Sequence, residues 1–227
     1  MSGSLVSPEL RARVRGVATP IAVGFGRLGL TPNHLTLIGF GIAVVAAVAA
    51  AQQAWIAAGV LLVVGGVFDL FDGALARATG TTSRLGAFMD SVFDRAGEGV
   101  VYVGIVGGCL AADFGLGAVL AAAAMASAFM VSYVRAKSES LGFTSGTGMA
   151  AIGLAPREVR IVILTIGLLL TGVLGGVAPY DGPLLISLDT WSGGRGPLAA
   201  SLGLITILAT ITAIQRIVHV IRQSRQQ

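Results

Sequence analysis

The stretch 68-FDLFDGALARATGTTSRLGAFMDSVFDR-95 sets Asp69, Asp72, Asp90 and Asp94 close together in a chain that is otherwise strongly apolar. Asp69 and Asp72 lie three apart and are followed by Gly73, Ala76 and Arg77. On a helix, positions 69, 72, 73 and 76 share one face. That face is two carboxylates flanked by residues with almost no side chain, so a bulky ligand can come close to the backbone. After the turn 78-ATGTTSRL-85, Gly86, Asp90 and Asp94 follow at successive four-residue steps, again one face with one small residue and two carboxylates. The antiparallel connection is short enough for the two faces to meet, so four carboxylates converge.

What surrounds them is a membrane protein. Of 227 residues 55% are hydrophobic and 11% charged, and the mean hydropathy is +0.86, far outside the range of soluble domains. A helical span needs roughly 20 mostly apolar residues, and six stretches qualify: 34–53, 55–78, 84–110, 114–137, 158–178 and 197–221. The expected fold is therefore all-α and integral to the membrane, six transmembrane helices in one bundle. Residues 1–30, with Leu10, Val14, Val17, Ile21 and Phe25 near helical spacing and arginines at 11, 13 and 15, form an expected amphipathic helix along the interface. The bundle would occupy 31–227, opening at 31-TPNHLT-36 with Thr31 as N-cap and Pro32 in the first turn. No signal-peptide core or cleavage site is evident. Cys109 is the only cysteine, so no internal disulfide is possible.

Charge placement orients the bundle. With a cytoplasmic N-terminus and six spans, Arg27, Arg77, Arg84, Arg95, Arg135, Lys137, Arg157, Arg160, Arg216, Arg222, Arg225 and the N-terminal arginines all fall towards the cytoplasm, and only Arg195 lies opposite. The positive-inside rule then puts both termini, and the aspartates, on the cytoplasmic side of the cell membrane. The loop 178–196, with two prolines and a tryptophan, would be exported and serve as a connector. No nucleic acid is expected as a partner.

Four carboxylates cannot persist there unpaired, since one aspartate at mid-bilayer costs roughly 2.5–3.5 kcal/mol and like charges nearby add to that. Oxygen-only ligands in this number suit hard divalent ions, and two carboxylates from each of two helices would hold a pair of Mg²⁺ or Mn²⁺. Such a pair stabilises the entering and departing oxygens of a phosphoryl displacement. A buried ion-pair network explains neither four acids for one nearby arginine nor the glycines facing them. A cation transporter, the rival from another class, does not require Gly73, Ala76, Arg77 and Gly86 at their spacing.

The pattern Asp69-x2-Asp72-Gly73-x2-Ala76-Arg77-x8-Gly86-x3-Asp90-x3-Asp94 resembles, without a departure, the signature of the CDP-alcohol phosphotransferase family. The resemblance runs from 31-TPNHLT-36 to 132-SYVRAKSESLG-142. It implies six spans behind an interfacial helix, and an enzyme that joins the phosphoryl group of a CDP-linked donor, usually CDP-diacylglycerol, to an alcohol with release of CMP. It further implies that Asp69, Asp72, Asp90 and Asp94 are metal ligands and that Asp94 is also the base for the acceptor hydroxyl. Asn33, His34, Leu35 and Thr36, with Gly73, Ala76, Arg77 and Ser83, would cradle the cytidine diphosphate, and the acyl tail would leave sideways into lipid. A homodimer is also suggested, for which the glycines at 102–117 and the run 121-AAAAMASA-128 would permit close helix approach.

The acceptor is read from the remaining cytoplasmic cations: Arg135 and Lys137 at the end of the fourth span, Arg157 and Arg160 opening the fifth, and Arg216 in the last. The stretches 132–142 and 90-DSVFDR-95 are similar to those of phosphatidylinositol phosphate synthases and their archaeal ether-lipid counterparts. By that resemblance Arg135, Arg157 and Arg216 grip the phosphate of inositol 1-phosphate, as suits a dianionic group. Pro156 stands where those synthases tend to carry an acid, and another acceptor, such as the glycerol phosphate used by phosphatidylglycerophosphate synthases, is the alternative. Glu98, one turn past Asp94, either supports the site from behind or pairs with a nearby arginine.

Overall fold

The computed structural model describes residues 8–143, 153–177 and 193–225. Within these the chain forms seven helices and no strand: α1 (Pro8–Arg27), α2 (Pro32–Ala51), α3 (Trp55–Thr79), α4 (Arg84–Ala111), α5 (Gly115–Ser140), α6 (Arg157–Val173) and α7 (Arg195–Ser224). Most of the loop 178–196 lies outside the described residues, as do the side chains of 8–15 and 17.

Local chemistry sets the helix ends near the aspartates. Thr31 caps α2 reciprocally with His34: its hydroxyl accepts from the His34 N–H, and its own N–H donates to His34 Nδ1, each at 3.3 Å. Gly80 closes α3 in the left-handed conformation at φ 66°. Ser83 then caps α4, its hydroxyl accepting from the Gly86 N–H at 2.9 Å. Only residues 80–83 separate α3 from α4, so the two run antiparallel and bring their aspartates to the same end of the bundle.

Helix α2 packs against both α3 and α4, α5 against α4 and α7, and α6 against α3 and α7. Contact between α2 and α4 is close because Gly104 and Gly108 have no Cβ; one added at either would collide with the backbone of Ala47 or Ala50. The aspartate-bearing helices α3 and α4, in contrast, make little close backbone contact with each other. Their acidic faces look at one another across a gap that α2 and α6 border.

The main core runs through the bundle around Trp55, Tyr102, Ile105, Leu164, Leu168, Leu198, Leu202 and Ile205. A smaller cluster docks α1 on the site end of α3, with Ala18 and Ala22 buried against Leu35, Ala74 and Leu75, and Phe25 5.7 Å from Phe71. At the far end Arg195 is buried, donating to the Ala112 carbonyl at 3.1 Å and lying 4.9 Å from the Phe114 ring centroid.

Outward faces carry exposed Val45, Val63, Phe88, Val119, Val162 and Ile207, an apolar girdle that suits lipid rather than water. Among the described residues four helices, α2, α3, α5 and α7, are long and apolar enough to cross a membrane by themselves. The other two expected spans are helical as well. However, α4 carries Asp90, Asp94, Arg95 and Glu98 within its first fifteen residues, and α6 has only 17 residues and begins with Arg157, Glu158 and Arg160. The protein is integral to the membrane, and its regular structure among the described residues is all helical.

Candidate active site

Two cavities adjoin at the aspartates. The first, about 400 Å³, lies between the start of α2, the end of α3 and the start of α4. Asp72 and Asp90 line it with Asn33, Thr36, Arg77 and Ser83. Arg77 folds back along α3, so that a Cβ on Gly73 would meet its Nη1 at 3.0 Å. The second cavity, about 490 Å³, opens between α2, α3, α4 and α6, where Asp69, Asp90, Asp94 and Arg157 share it with Phe40, Leu61, Phe93 and Val162. Thr36 and Asp90 line both. Both volumes suit a small ligand.

The carboxylates are close enough to repel: Asp90 feels Asp69, and Asp94 feels both. Arg157, the first residue of α6, answers that repulsion. Its Nη2 lies 2.8 Å from Asp69 Oδ2 and its Nη1 2.9 Å from Asp94 Oδ1, one guanidinium bridging α3 and α4. Its Nε is buried without a hydrogen-bond partner. Arg95 stands farther off, 3.7 Å from Asp94 Oδ2. Asp72 is buried and accepts from Thr36 Oγ1 at 2.7 Å, which aims one of its oxygens from α2.

Among the described residues no three His, Cys, Asp or Glu side chains close around one point as a metal-ligating set. Asp69 and Asp94 are turned to Arg157, and Asp72 to Thr36. The donors still fit hard divalent ions: they are oxygens only, drawn from two helices, and the space between Asp69 and Asp94 already takes a positive charge.

Six of the eight residues expected to cradle the nucleotide line the first cavity: Asn33, Thr36, Gly73, Ala76, Arg77 and Ser83. His34 is taken up by the α2 cap, and Leu35 is fully buried under α1. Thr81 and Thr82, which the sequence reading did not single out, also line it. Their hydroxyls sit in the turn that closes the cavity, and hydroxyl-rich residues between two acidic helices were the available signal.

Of the five cations expected at the acceptor phosphate, Arg157 stands among the aspartates, and the other four line neither cavity. Arg135 pairs with Glu139 one turn on at 2.9 Å, and Lys137 is exposed near the end of α5. Arg216 is buried, donates to the Val131 carbonyl at 2.8 Å, and is near enough to Arg135 and Arg160 to feel their charge. Arg160 is buried against Glu98 rather than open to a ligand.

Aspartates presented by two antiparallel membrane helices beside a polar cavity with an arginine over a glycine are the defining feature here. Residues 29–221 match the CDP-alcohol phosphatidyltransferase family, and the chain belongs to it. It is accordingly a transferase of phospholipid synthesis.

Among particular relatives, it is 38% identical over 170 residues to the archaetidylinositol phosphate synthase of Pyrococcus horikoshii, covering 74% of this chain and 85% of that one. To the phosphatidylinositol phosphate synthase of Cutibacterium acnes it is 33% identical over 218 residues, 94% of this chain and 97% of the relative. In structure it is similar to the Mycobacterium tuberculosis phosphatidylinositol phosphate synthase. The form with CDP-DAG bound superposes with a TM-score of 0.72 at 27% identity, over 90% of this chain and 93% of that one. The form in complex with manganese and citrate gives 0.73 at 27% identity, over 89% and 88%.

Proposed function

We propose that this enzyme transfers the phosphatidyl group of CDP-diacylglycerol, or a similar CDP-linked lipid, to inositol 1-phosphate, giving phosphatidylinositol phosphate and CMP. The observation that carries the acceptor is Arg157: a guanidinium 2.9 Å from Asp94, at the wall of the second cavity, with a buried Nε still able to donate. A phosphate beside it would receive charge-assisted bonds while the polyol hydroxyl lay near Asp94. Sequence identity to an archaetidylinositol phosphate synthase and a phosphatidylinositol phosphate synthase supports the same acceptor.

In this reading the first cavity holds the cytidine diphosphate, with Arg77 against the pyrophosphate and Asn33, Thr36 and Ser83 supplying polar contacts. Asp69, Asp72, Asp90 and Asp94 would hold two divalent ions, Mg²⁺ or Mn²⁺, which would offset charge on the entering and departing oxygens. Thr36 fixes the Asp72 carboxylate through its 2.7 Å bond. Asp94 takes the proton of the acceptor hydroxyl as that oxygen bonds to the β-phosphorus and the bond to CMP breaks. Arg135 and Arg216 would add positive potential on the acceptor side.

The membrane arrangement completes the proposal. All six helices from α2 to α7 span the cell membrane, residues 31–227 forming the catalytic bundle. Residues 1–30 lie along the cytoplasmic interface, both termini and the site face the cytoplasm, and two copies associate as a homodimer. The apolar girdle and the basic residues at the aspartate end support this orientation. The test is CMP release by the purified enzyme with CDP-diacylglycerol and, in turn, inositol 1-phosphate, glycerol 3-phosphate, serine and free inositol. Inositol 1-phosphate should stimulate most, and stimulation by glycerol 3-phosphate alone would replace it as acceptor.

A further inference from the structure

Behind the aspartates lies a second ionic contact that neither cavity chemistry nor membrane anchoring accounts for. Glu98 and Arg160 are each 1% exposed and meet as a two-pronged pair, Nε to Oε1 and Nη2 to Oε2, both at 2.8 Å. Arg160 Nη1 also donates to the Ala155 carbonyl at 3.0 Å. From the other side, Thr212 Oγ1 on α7 accepts from the N–H groups of Leu154 and Ala155, each at 3.0 Å. Gly153, at φ 123°, lets the chain pass Thr212 so closely that a Cβ would collide with it. The segment entering α6 is therefore gripped on both its carbonyl and its amide side.

Position gives this grip a purpose. Glu98 sits one turn beyond Asp94 on α4, and Arg160 one turn beyond Arg157 on α6. The buried pair thus sets the register of α6 against α4 one turn below the place where Arg157 meets Asp94. A buried ion pair is commonly replaceable by apolar residues of similar volume without loss of stability, so stability alone does not explain its presence.

We infer that Glu98 and Arg160 are positioning residues: they hold Arg157 at the aspartates and so set affinity for the acceptor phosphate. This rests on the reading of Arg157 given above. Glu98 borders the second cavity with both carboxylate oxygens taken up by Arg160, and Arg160 lines neither cavity. Their contribution passes through the fork at Ala155 and the first turn of α6.

The test compares the full-length enzyme in detergent with three variants: Arg157→Gln, the apolar double variant Glu98→Met/Arg160→Leu, and the triple variant combining them. Thermal melting and separate KM values for inositol 1-phosphate and CDP-diacylglycerol are measured for each. The double variant should melt close to the parent while its KM for inositol 1-phosphate rises about tenfold, the scale of one misaligned charge-assisted bond. Its KM for the CDP-lipid should stay within about threefold of the parent, inside the spread of ordinary context effects. The triple variant should have the acceptor KM of Arg157→Gln alone. Arg160→Lys is the companion should the double variant not fold: it keeps the charge but cannot fork Glu98 and hold Ala155 together, so its acceptor KM should also rise.

A stable double variant with the parental acceptor KM overturns the inference, as do effects that multiply with those of Arg157→Gln. If Arg157→Gln alone leaves the acceptor KM unchanged, the acceptor reading fails and takes this inference with it.

Discussion

Replacing Thr36 by valine removes one hydroxyl and almost no volume, and it should weaken binding of the divalent ion at Asp72. Thr36 Oγ1 donates to Asp72 Oδ2 at 2.7 Å, and Asp72 is only 5% exposed, so water cannot easily take over the bond. A hydrogen bond to a charged group contributes about 1.5–3 kcal/mol, which corresponds to roughly 10- to 150-fold in a binding constant. Loss of a group that orients a metal ligand costs about 10–100-fold in affinity, the same scale by another route. Free Mn²⁺ in a titration of the detergent-purified protein, followed by electron paramagnetic resonance, reads the affinity without catalysis. Thr36→Val should bind at least tenfold more weakly at the affected site, whereas Thr36→Ser, which keeps the hydroxyl, should stay near the parent. Parental Mn²⁺ affinity in a folded Thr36→Val protein would refute the argument that this bond aims Asp72 at a metal.

Asp94→Asn should lower CMP release by about 10²–10⁴-fold, the usual contribution of a general base, with the helical circular dichroism signal retained; turnover at the parental rate would remove Asp94 as base. Arg77→Met keeps the apolar stem over Gly73 and loses the charge, so the KM for CDP-diacylglycerol should rise about tenfold or more while the acceptor KM holds. Steady-state kinetics with each substrate varied separates the two. Gly104→Ala drives a methyl into the Ala47 backbone at the α2–α4 contact, and should destabilise by about 1–3 kcal/mol as a lowered melting temperature.

The spacing of Asp69, Asp72, Asp90 and Asp94 was readable because helical periodicity alone puts each pair on one face, and a four-residue connection forces the pairs to one end. The cap at Thr31 was legible for the same local reason. Within 31-TPNHLT-36 the reading was too inclusive. Successive helical residues turn by about 100°, so Asn33 and Thr36 reach the cavity while His34 folds into the cap and Leu35 goes under α1.

What local pattern could not convey was the long-range pairing. Seen in sequence, Arg77 is the cation offered to the acids; in three dimensions Arg157, far along the chain, bridges Asp69 and Asp94. Arg157 and Arg160 look alike as basic residues opening a helix, yet one lines the cavity and the other is buried on Glu98. Which face of α6 meets α4 decides between them, and that depends on packing set by α3 and α7. The same holds for the gap between α3 and α4: a short connection brings two helices near, but α2 and α6 determine how far they stand apart.

The central claim is that carboxylates from α3 and α4 hold divalent ions at the point where nucleotide and acceptor meet. Its most direct test is a crystal of the protein with Mn²⁺ and CDP-diacylglycerol, measured at the manganese absorption edge. Two anomalous peaks among Asp69, Asp72, Asp90 and Asp94, with Arg157 still at the wall of the second cavity where Glu98 and Arg160 hold the start of α6, are the predicted result. A map with the nucleotide in the first cavity and no anomalous peak between those carboxylates would contradict it.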